Sequence, residues 1–274
     1  MTSAIAVART VGHDGKSLWW RRYRVPVLRS LLIVISIGVL ELASRMGWID
    51  RVSFIPPSEM AVSAWEILIG DTYRHDMMLT LSSAFVAIVL AVTCGFLFGL
   101  VLFRFPRLRR VLDPLLLSYY AVPIFVLYPM LIVIFGLNRW PLIMLGFLFA
   151  IVAMAVNTLN GLERIPLVLL RTARVLRMGR LQEIWLIKLP ASLPFVFTGV
   201  KLSIVYAFIA VIGGEFLLSG AGFGYQIAFA YNNFDNKTMY GLMLLLLLFV
   251  GIINLVLYSV EQRLYQRRVL KEAA

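Results

Sequence analysis

Met77-Met-Leu-Thr-Leu-Ser-Ser-Ala-Phe-Val-Ala-Ile-Val-Leu-Ala-Val-Thr-Cys-Gly-Phe-Leu-Phe-Gly-Leu-Val-Leu-Phe103 runs without one charged side chain between Asp76 and Arg104. At 1.5 Å per residue, about 20 helical residues cross ~30 Å of hydrocarbon. A bilayer admits only helices or closed barrels, because backbone polar groups there must be satisfied within the protein. Barrel strands would alternate apolar and polar over ~10 residues. This run is continuously apolar, so it reads as a membrane helix. Five more runs of similar character cover about Val25–Met46, Val111–Phe135, Trp140–Asn160, Leu193–Leu218 and Met239–Val260. The fold expected is an all-α integral membrane protein of about six transmembrane helices. Hydrophobic residues make up 61% of the chain, against roughly 45–50% in soluble domains.

The net charge of +12 would suggest nucleic acid in a soluble protein; in a membrane protein it reports orientation. With the N-terminus inside, the inner segments hold 20 of the 26 Lys and Arg. Six lie in the N-terminal tail through Arg29. Four are Arg104, Arg107, Arg109 and Arg110. Six are Arg164, Arg171, Arg174, Arg177, Arg180 and Lys188, and four are Arg263, Arg267, Arg268 and Lys271. The outer segments hold five: Arg45, Arg51, Arg74, Arg139 and Lys237. Both termini are therefore expected in the cytoplasm, in a multi-pass inner (plasma) membrane protein. The organisation expected is a cytoplasmic tail over 1–24, one transmembrane domain over 25–260 with a cytoplasmic loop at 161–192, and a cytoplasmic tail over 261–274. The first run is long and lacks a cleavage site, so it is expected to be retained as a helix. The single cysteine, Cys94, permits no internal disulfide.

The outer loop, about Gly47–Asp76, contains Phe54-Ile-Pro-Pro-Ser58. Residues before proline are pushed away from helix. Ser58 is expected to cap a short amphipathic helix over Glu59–Ile69 at the outer interface.

The loop Gly161–Ser192 is the long cytoplasmic connection. Leu167, Leu170, Ala173 and Leu176 recur at helical spacing, with Arg171, Arg174 and Arg177 around the remaining surface. Gly179 offers a break. A second amphipathic piece, Leu181–Ile187, is expected to stop at Leu189-Pro190, since proline does not extend a helix interior. A helix, a turn and a helix under the membrane follow. From the residues alone, a basic segment resting on anionic lipid fits as well as a docking element.

The stretch Arg171-Thr-Ala-Arg-Val-Leu-Arg-Met-Gly-Arg-Leu-Gln-Glu-Ile-Trp-Leu-Ile-Lys-Leu-Pro190 resembles the cytoplasmic signature of ABC importer permeases: EAA, a glycine, then I-x-LP. Ala173, Ile187, Leu189 and Pro190 fall in register. Arg171 stands at the Glu place, Thr172 at an Ala place and Arg177 at the Gly place, while Gly179 comes two residues late. Further pieces resemble the nitrate, sulfonate, taurine and thiamin-precursor branch in order and spacing. These are Phe54-Ile-Pro-Pro-Ser58, Leu108-Arg-Arg-Val-Leu-Asp-Pro114, Asn157-Thr-Leu-Asn-Gly161, Gly213-Gly-Glu-Phe216 and Gly220-Ala-Gly-Phe-Gly-Tyr225. The resemblance covers about Phe54–Arg268. It implies a type I ABC importer permease fold and a translocation path for a small solute, either a small anion such as nitrate or a sulfonate, or a thiamin precursor. It implies a cytoplasmic ATP-binding subunit docked on Arg171, Thr172, Ala173, Arg174, Arg177, Gly179, Leu189 and Pro190. It also implies a second permease subunit, expected as a homodimer, and a periplasmic solute-binding protein.

Candidates for the path or its gate are Pro123, Tyr128 and Glu215. Pro123 and Pro129 can kink the third span, although membrane helices carry proline for packing as well. Tyr128 is equally at home as an interfacial tyrosine. Glu215 is costly in hydrocarbon; its alternative role is a carboxylate bracing the glycine-rich turn that follows. Lys201 is expected to snorkel to the surface. Gly95 and Gly99 are read as helix packing. The sequence has no phosphate-binding G-x-x-x-x-G-K-[ST] loop, no H-E-x-x-H and no Cys/His cluster. No cofactor, metal, nucleic-acid partner or enzymatic activity is expected, and ATP hydrolysis is assigned to a partner. The alternative function is a secondary transporter driven by an ion gradient.

Overall fold

The computed structural model describes residues 15–50 and 53–272. Every regular element among them is helical. In chain order they are α1 (Gly15–Arg45), α2 (Pro57–Ile69), α3 (Arg74–Arg104), α4 (Pro106–Ser118), α5 (Tyr128–Phe135) and α6 (Trp140–Glu163). There follow α7 (Leu167–Val175), α8 (Arg180–Glu183), α9 (Leu189–Leu218), α10 (Phe223–Asn232) and α11 (Asn236–Glu272). The second, fourth, fifth and sixth expected spans coincide with α3, α6, α9 and the first part of α11. Four helical stretches among the described residues are long and apolar enough to cross a membrane: Arg74–Arg104, Trp140–Glu163, Ile184–Asn232 and Asn236–Gln262. Residues 1–14, the outer part of the expected N-terminal tail, lie outside the described residues, as do 273–274 of the C-terminal one. The helix that carries the last span does not stop at Val260 but runs on to Glu272.

The third expected span is not one rod. Pro106–Ala121 and Ile124–Phe135 meet at a bend of 96°, the geometry of either a broken span or a re-entrant pair. Pro123 sits at the corner, with extended backbone just before a 3₁₀ turn over Ile124–Leu127. Its ring removes one amide donor and disfavours helical backbone at Val122. Pro129, by contrast, falls in the first turn of α5, where the missing donor is harmless. Pro114 lies inside α4 without ending it.

The chain divides into two units, Met1–Val62 and Ser63–Ala274. In the first, the carboxylate of Glu41 on α1 accepts the Ser58 N–H at 3.0 Å and the Ser58 hydroxyl at 2.7 Å. Ser58 therefore does not cap the helix. Pro57 begins it, because its fixed φ suits the first helical position, and Glu41 supplies the acceptor at the positive end of α2. Side chains of α1 such as Leu32, Ile33, Val34 and Leu42 stand more than 60% exposed.

In the second unit, α3, α6 and α9 pack face to face. Ala84, Ala87 and Ala91 of α3 meet Ile143 and Ala150 of α6 and Ala207 and Val211 of α9, all of them buried. Between lipid-exposed helices apolar burial provides little drive, so close contact between small residues takes its place. Gly95 and Gly99 show this directly. A Cβ on Gly95 would lie 2.7 Å from Ile151 O, and one on Gly99 2.7 Å from Ala155 O. The hydroxyl of Ser203 adds a cross-helix bond to Ala150 O at 3.2 Å. Lys201 does not simply snorkel: its ammonium pairs with Glu261 on α11 at 3.0 Å.

Candidate functional site

Two polar regions sit on this helical frame. The first lies between α6 and α9. The helix α7 is one short amphipathic segment, and its termination is well defined. Arg177 adopts a left-handed backbone with φ 48°. Its N–H donates to Arg174 O at 3.1 Å, and the N–H of Met178 donates to Ala173 O at 3.0 Å. This is the paired closure that ends many helices, usually on glycine. The break expected at Gly179 thus falls two residues earlier, at the signature's glycine position, although arginine occupies it. Gly179 instead opens α8: its N–H donates to Gln182 Oε1 at 3.0 Å, and its carbonyl accepts from Glu183 N at 2.9 Å. That is one half of a capping box.

The second helical piece does not stop at Leu189-Pro190. Ile184–Lys188 forms a π turn in which Leu189 N–H donates to Ile184 O, and α9 follows without interruption. Pro190 falls in the first turn of α9. The wider turn shifts the bonding ladder by one residue, so the proline is tolerated where a regular helix would be broken.

Ala173 is buried, whereas Arg171, Thr172, Arg174, Arg177 and Gly179 are exposed. The Thr172 hydroxyl turns back to Val168 O at 3.0 Å. Leu167, Val168, Val175, Leu176, Trp185 and Leu186 are also exposed. A single short element thus presents apolar and cationic side chains together.

The second region joins the start of α3, the end of α9 and the start of α10. Glu215 is fully buried. Thr80 Oγ1 lies 2.8 Å from each of its carboxylate oxygens and donates to them, while accepting the Phe223 N–H at 2.8 Å. The Gly224 N–H donates to Glu215 Oε2 at 3.0 Å. Asp76 accepts the Gly222 N–H at 2.8 Å and the Gln226 side-chain amide at 2.7 Å. Two carboxylates and the Thr80 hydroxyl thereby take the amides of Gly222, Phe223 and Gly224 at the N-terminus of α10, where the helix dipole favours negative charge. Gly222 is required twice over: its φ is 104°, and a Cβ would overlap the Glu215 carboxylate.

Glu215 is legible in the sequence as an acid within a span, whereas Asp76, Thr80 and Gln226 are not. Their signal was weak: one Asp immediately before an apolar run, and one Thr a turn further on. The glycine-rich stretch read as irregular turn is only partly so, since Phe223–Asn232 is helical. Of the other path candidates, Tyr128 is buried and Pro123 exposed. Tyr128 lines a cleft of about 380 Å³ with Asn138, Arg139, Leu142, Ser219 and Gly220. Pro123 and Glu215 are not part of that cleft. Among the described residues, no cluster of His, Cys, Asp or Glu could hold a metal ion.

The described residues form a bundle of membrane-length helices with an exposed element on one connection and a clamped turn on another. Comparison with known proteins specifies the family. The family model described as binding-protein-dependent transport system inner membrane component matches residues 87–270, and the chain belongs to this family. The nitrate import permease of Leptolyngbya laminosa is 27% identical over 210 residues, covering 73% of this chain and 74% of that protein. The taurine transport system permease of Escherichia coli (strain K12) is 24% identical over 218 residues, covering 75% and 78%. A chain of the inward-facing MetNI methionine ABC transporter superposes with a TM-score of 0.61 at 18% identity, covering 72% of this chain and 99% of that one, and shows the shared type I importer fold.

The protein is a permease subunit of an ABC importer and contributes to its translocation path. It is not itself an enzyme; ATP hydrolysis belongs to a partner subunit. An importer of this family comprises an ATP-binding subunit, a binding protein and a partner permease. Family membership decides against the ion-gradient alternative.

Proposed function

We propose that two copies of this chain form the path of an inner-membrane importer for a small anion, nitrate-like or sulfonate-like. In this reading α1 is the sixth span and both termini are cytoplasmic. The tails are 1–24 and 261–274, the permease domain is 25–260, and the loop 161–192 docks the ATPase subunit. The contact residues are Arg171, Thr172, Ala173, Arg174, Arg177, Gly179, Leu189 and Pro190, with Ala173 supporting α7 from its buried side.

The observation that carries the docking assignment is the exposed α7–α8 element. It is apolar enough to seek a partner, charged enough to stay out of the bilayer core, and continuous with α9 through the π turn. The anion assignment draws on the nitrate and taurine relatives. The outer cleft is consistent with it, because Arg139 is cationic and Ser219 and Asn138 are polar. Tyr128 lines this route and Pro123 sets the bend beside it. Glu215 braces the turn rather than touching solute.

The deciding experiment replaces 167–179 with a flexible Gly-Ser linker. Transport and co-purification with the ATPase subunit should both be lost. Association that survived the replacement would sink the docking assignment. Uptake of labelled nitrate and taurine by the reconstituted importer, with its own binding protein, tests the substrate class; uptake of neither overturns it. The mass of the purified complex tests the homodimer.

A further inference from the structure

We infer that the ATPase subunit meets α7 with an acidic centre, a carboxylate paired to Arg171 inside an apolar rim. This rests on the docking reading above and adds the chemistry of the contact.

On a helix, residues three and four apart are neighbours. Arg171 therefore has Leu167 and Val168 on one side and Arg174 and Val175 on the other. Leu167, Val168 and Val175 are 66%, 70% and 81% exposed. The opposite face carries buried Ala173 and half-buried Leu170. The guanidinium of Arg171 thus rises from the middle of an exposed apolar patch.

That placement separates two kinds of partner. A helix lying on lipid segregates its basic residues from its apolar face. Lowering this face into the acyl region would carry Arg171 down with it, where a charge is costly. Rolling it to keep Arg171 among headgroups would lift the three apolar side chains into water. A protein groove with apolar walls and one carboxylate at its centre satisfies both at once. Arginine suits such a site because its planar fork binds a carboxylate through two parallel bonds.

Nothing in the element itself supplies that carboxylate. Glu183 is the one acidic residue between Leu167 and Pro190, and it is engaged by Lys188 at 3.0 Å. Among the described residues, Arg171, Arg174 and Arg177 form no ion pair. Arg174 is the second cation beside the patch, and the backbone of Arg177 closes the helix just beyond it.

The test uses the full chain co-expressed with the ATPase subunit of the same importer and reconstituted in uncharged phosphatidylcholine nanodiscs. Arg171→Glu should weaken association about tenfold or more. Arg171→Lys should retain part of it, which excludes misfolding as the cause. Arg107→Glu makes the same change in net charge on a different connection and should have no effect. An ATPase variant carrying Lys in place of a groove carboxylate should restore binding to Arg171→Glu.

Equal association of wild type and Arg171→Glu overturns the inference, as does an equal loss with Arg107→Glu. So does a loss of Arg171→Glu binding confined to phosphatidylglycerol vesicles with ATPase association intact, which would return the element to the lipid surface. Linker replacement of 167–179 keeps the two readings distinct. If it abolishes association while Arg171→Glu does not, only the acidic centre falls. If it leaves association intact, the docking reading falls first.

Discussion

The two polar regions are built on opposite plans. In the α3–α9–α10 turn the acceptors meet their donors inside the protein: Glu215 takes Thr80 and Gly224, and Asp76 takes Gly222 and Gln226. In the α7–α8 element the backbone is neatly closed, but the arginines and large apolar side chains face outward. A buried, satisfied network fixes shape, and deleting one member leaves the others stranded in low dielectric. An exposed, unsatisfied surface contributes little to its own fold and acquires value only against a partner. Substitutions should therefore fall into two groups. Changes at Glu215 or Gly222 should affect the folded subunit, and changes at Arg171 should affect the complex while sparing the subunit.

The largest effect on stability is expected at the clamp. Glu215→Ala strands the Gly224 amide, leaves the Thr80 hydroxyl only the Asp76 carbonyl as acceptor, and should destabilise the protein by about 2–3 kcal/mol. The check is thermal unfolding of the purified subunit in detergent. Glu215→Gln keeps an acceptor and should lose less; equal losses would show that charge, not geometry, holds the turn. Gly222→Ala should be similarly damaging, because it adds overlap to a disfavoured φ.

Next comes the helix core. Gly99→Leu forces α3 away from α6 and should cost about 1–3 kcal/mol, read as reduced yield of monodisperse protein. A smaller effect of opposite sign is expected at the docking element. Arg177→Gly removes a left-handed non-glycine residue and should stabilise the α7 turn by about 1 kcal/mol. It should appear as slower amide exchange at Arg177 and Met178, whose N–H groups close the helix. Smallest of all, Lys237→Met breaks an exposed pair with Glu66 at 2.8 Å. It should change stability by no more than about 1 kcal/mol, an effect that salt would erase in the wild type.

The parts legible in the sequence were those set by bulk hydrophobicity and charge. Runs such as Met77–Phe103 declare a span because no other structure tolerates them in lipid. The loop proposed to dock the ATPase subunit is marked in the sequence by the spacing of Ala173, Ile187, Leu189 and Pro190. What escaped were choices made by a single local bond. Pro190 signals a stop unless a π turn shifts the ladder, and nothing in Ile184–Lys188 announces that turn. Ser58 is a good cap until Glu41, 17 residues earlier, takes both its amide and its hydroxyl. The bend at Pro123 was marked by a proline, but its 96° magnitude depends on packing. Asp76 and Thr80 became important only when α10 was placed above them, a juxtaposition between residues about 140 positions apart.

The π turn has a mechanical consequence. Because Ile184–Lys188 leads into Leu189–Leu218 without a gap, the chain from Trp185 to Glu215 is one continuous helix with Pro194 inside it, roughly 45 Å long at 1.5 Å per residue. One end stands at the docking element and the other is pinned in the clamped turn. A pushrod fixed in this way transmits axial thrust and torque. In the docking reading proposed above, a push at Trp185 would reach the turn that Glu215 holds through its bonds to Thr80 and Gly224.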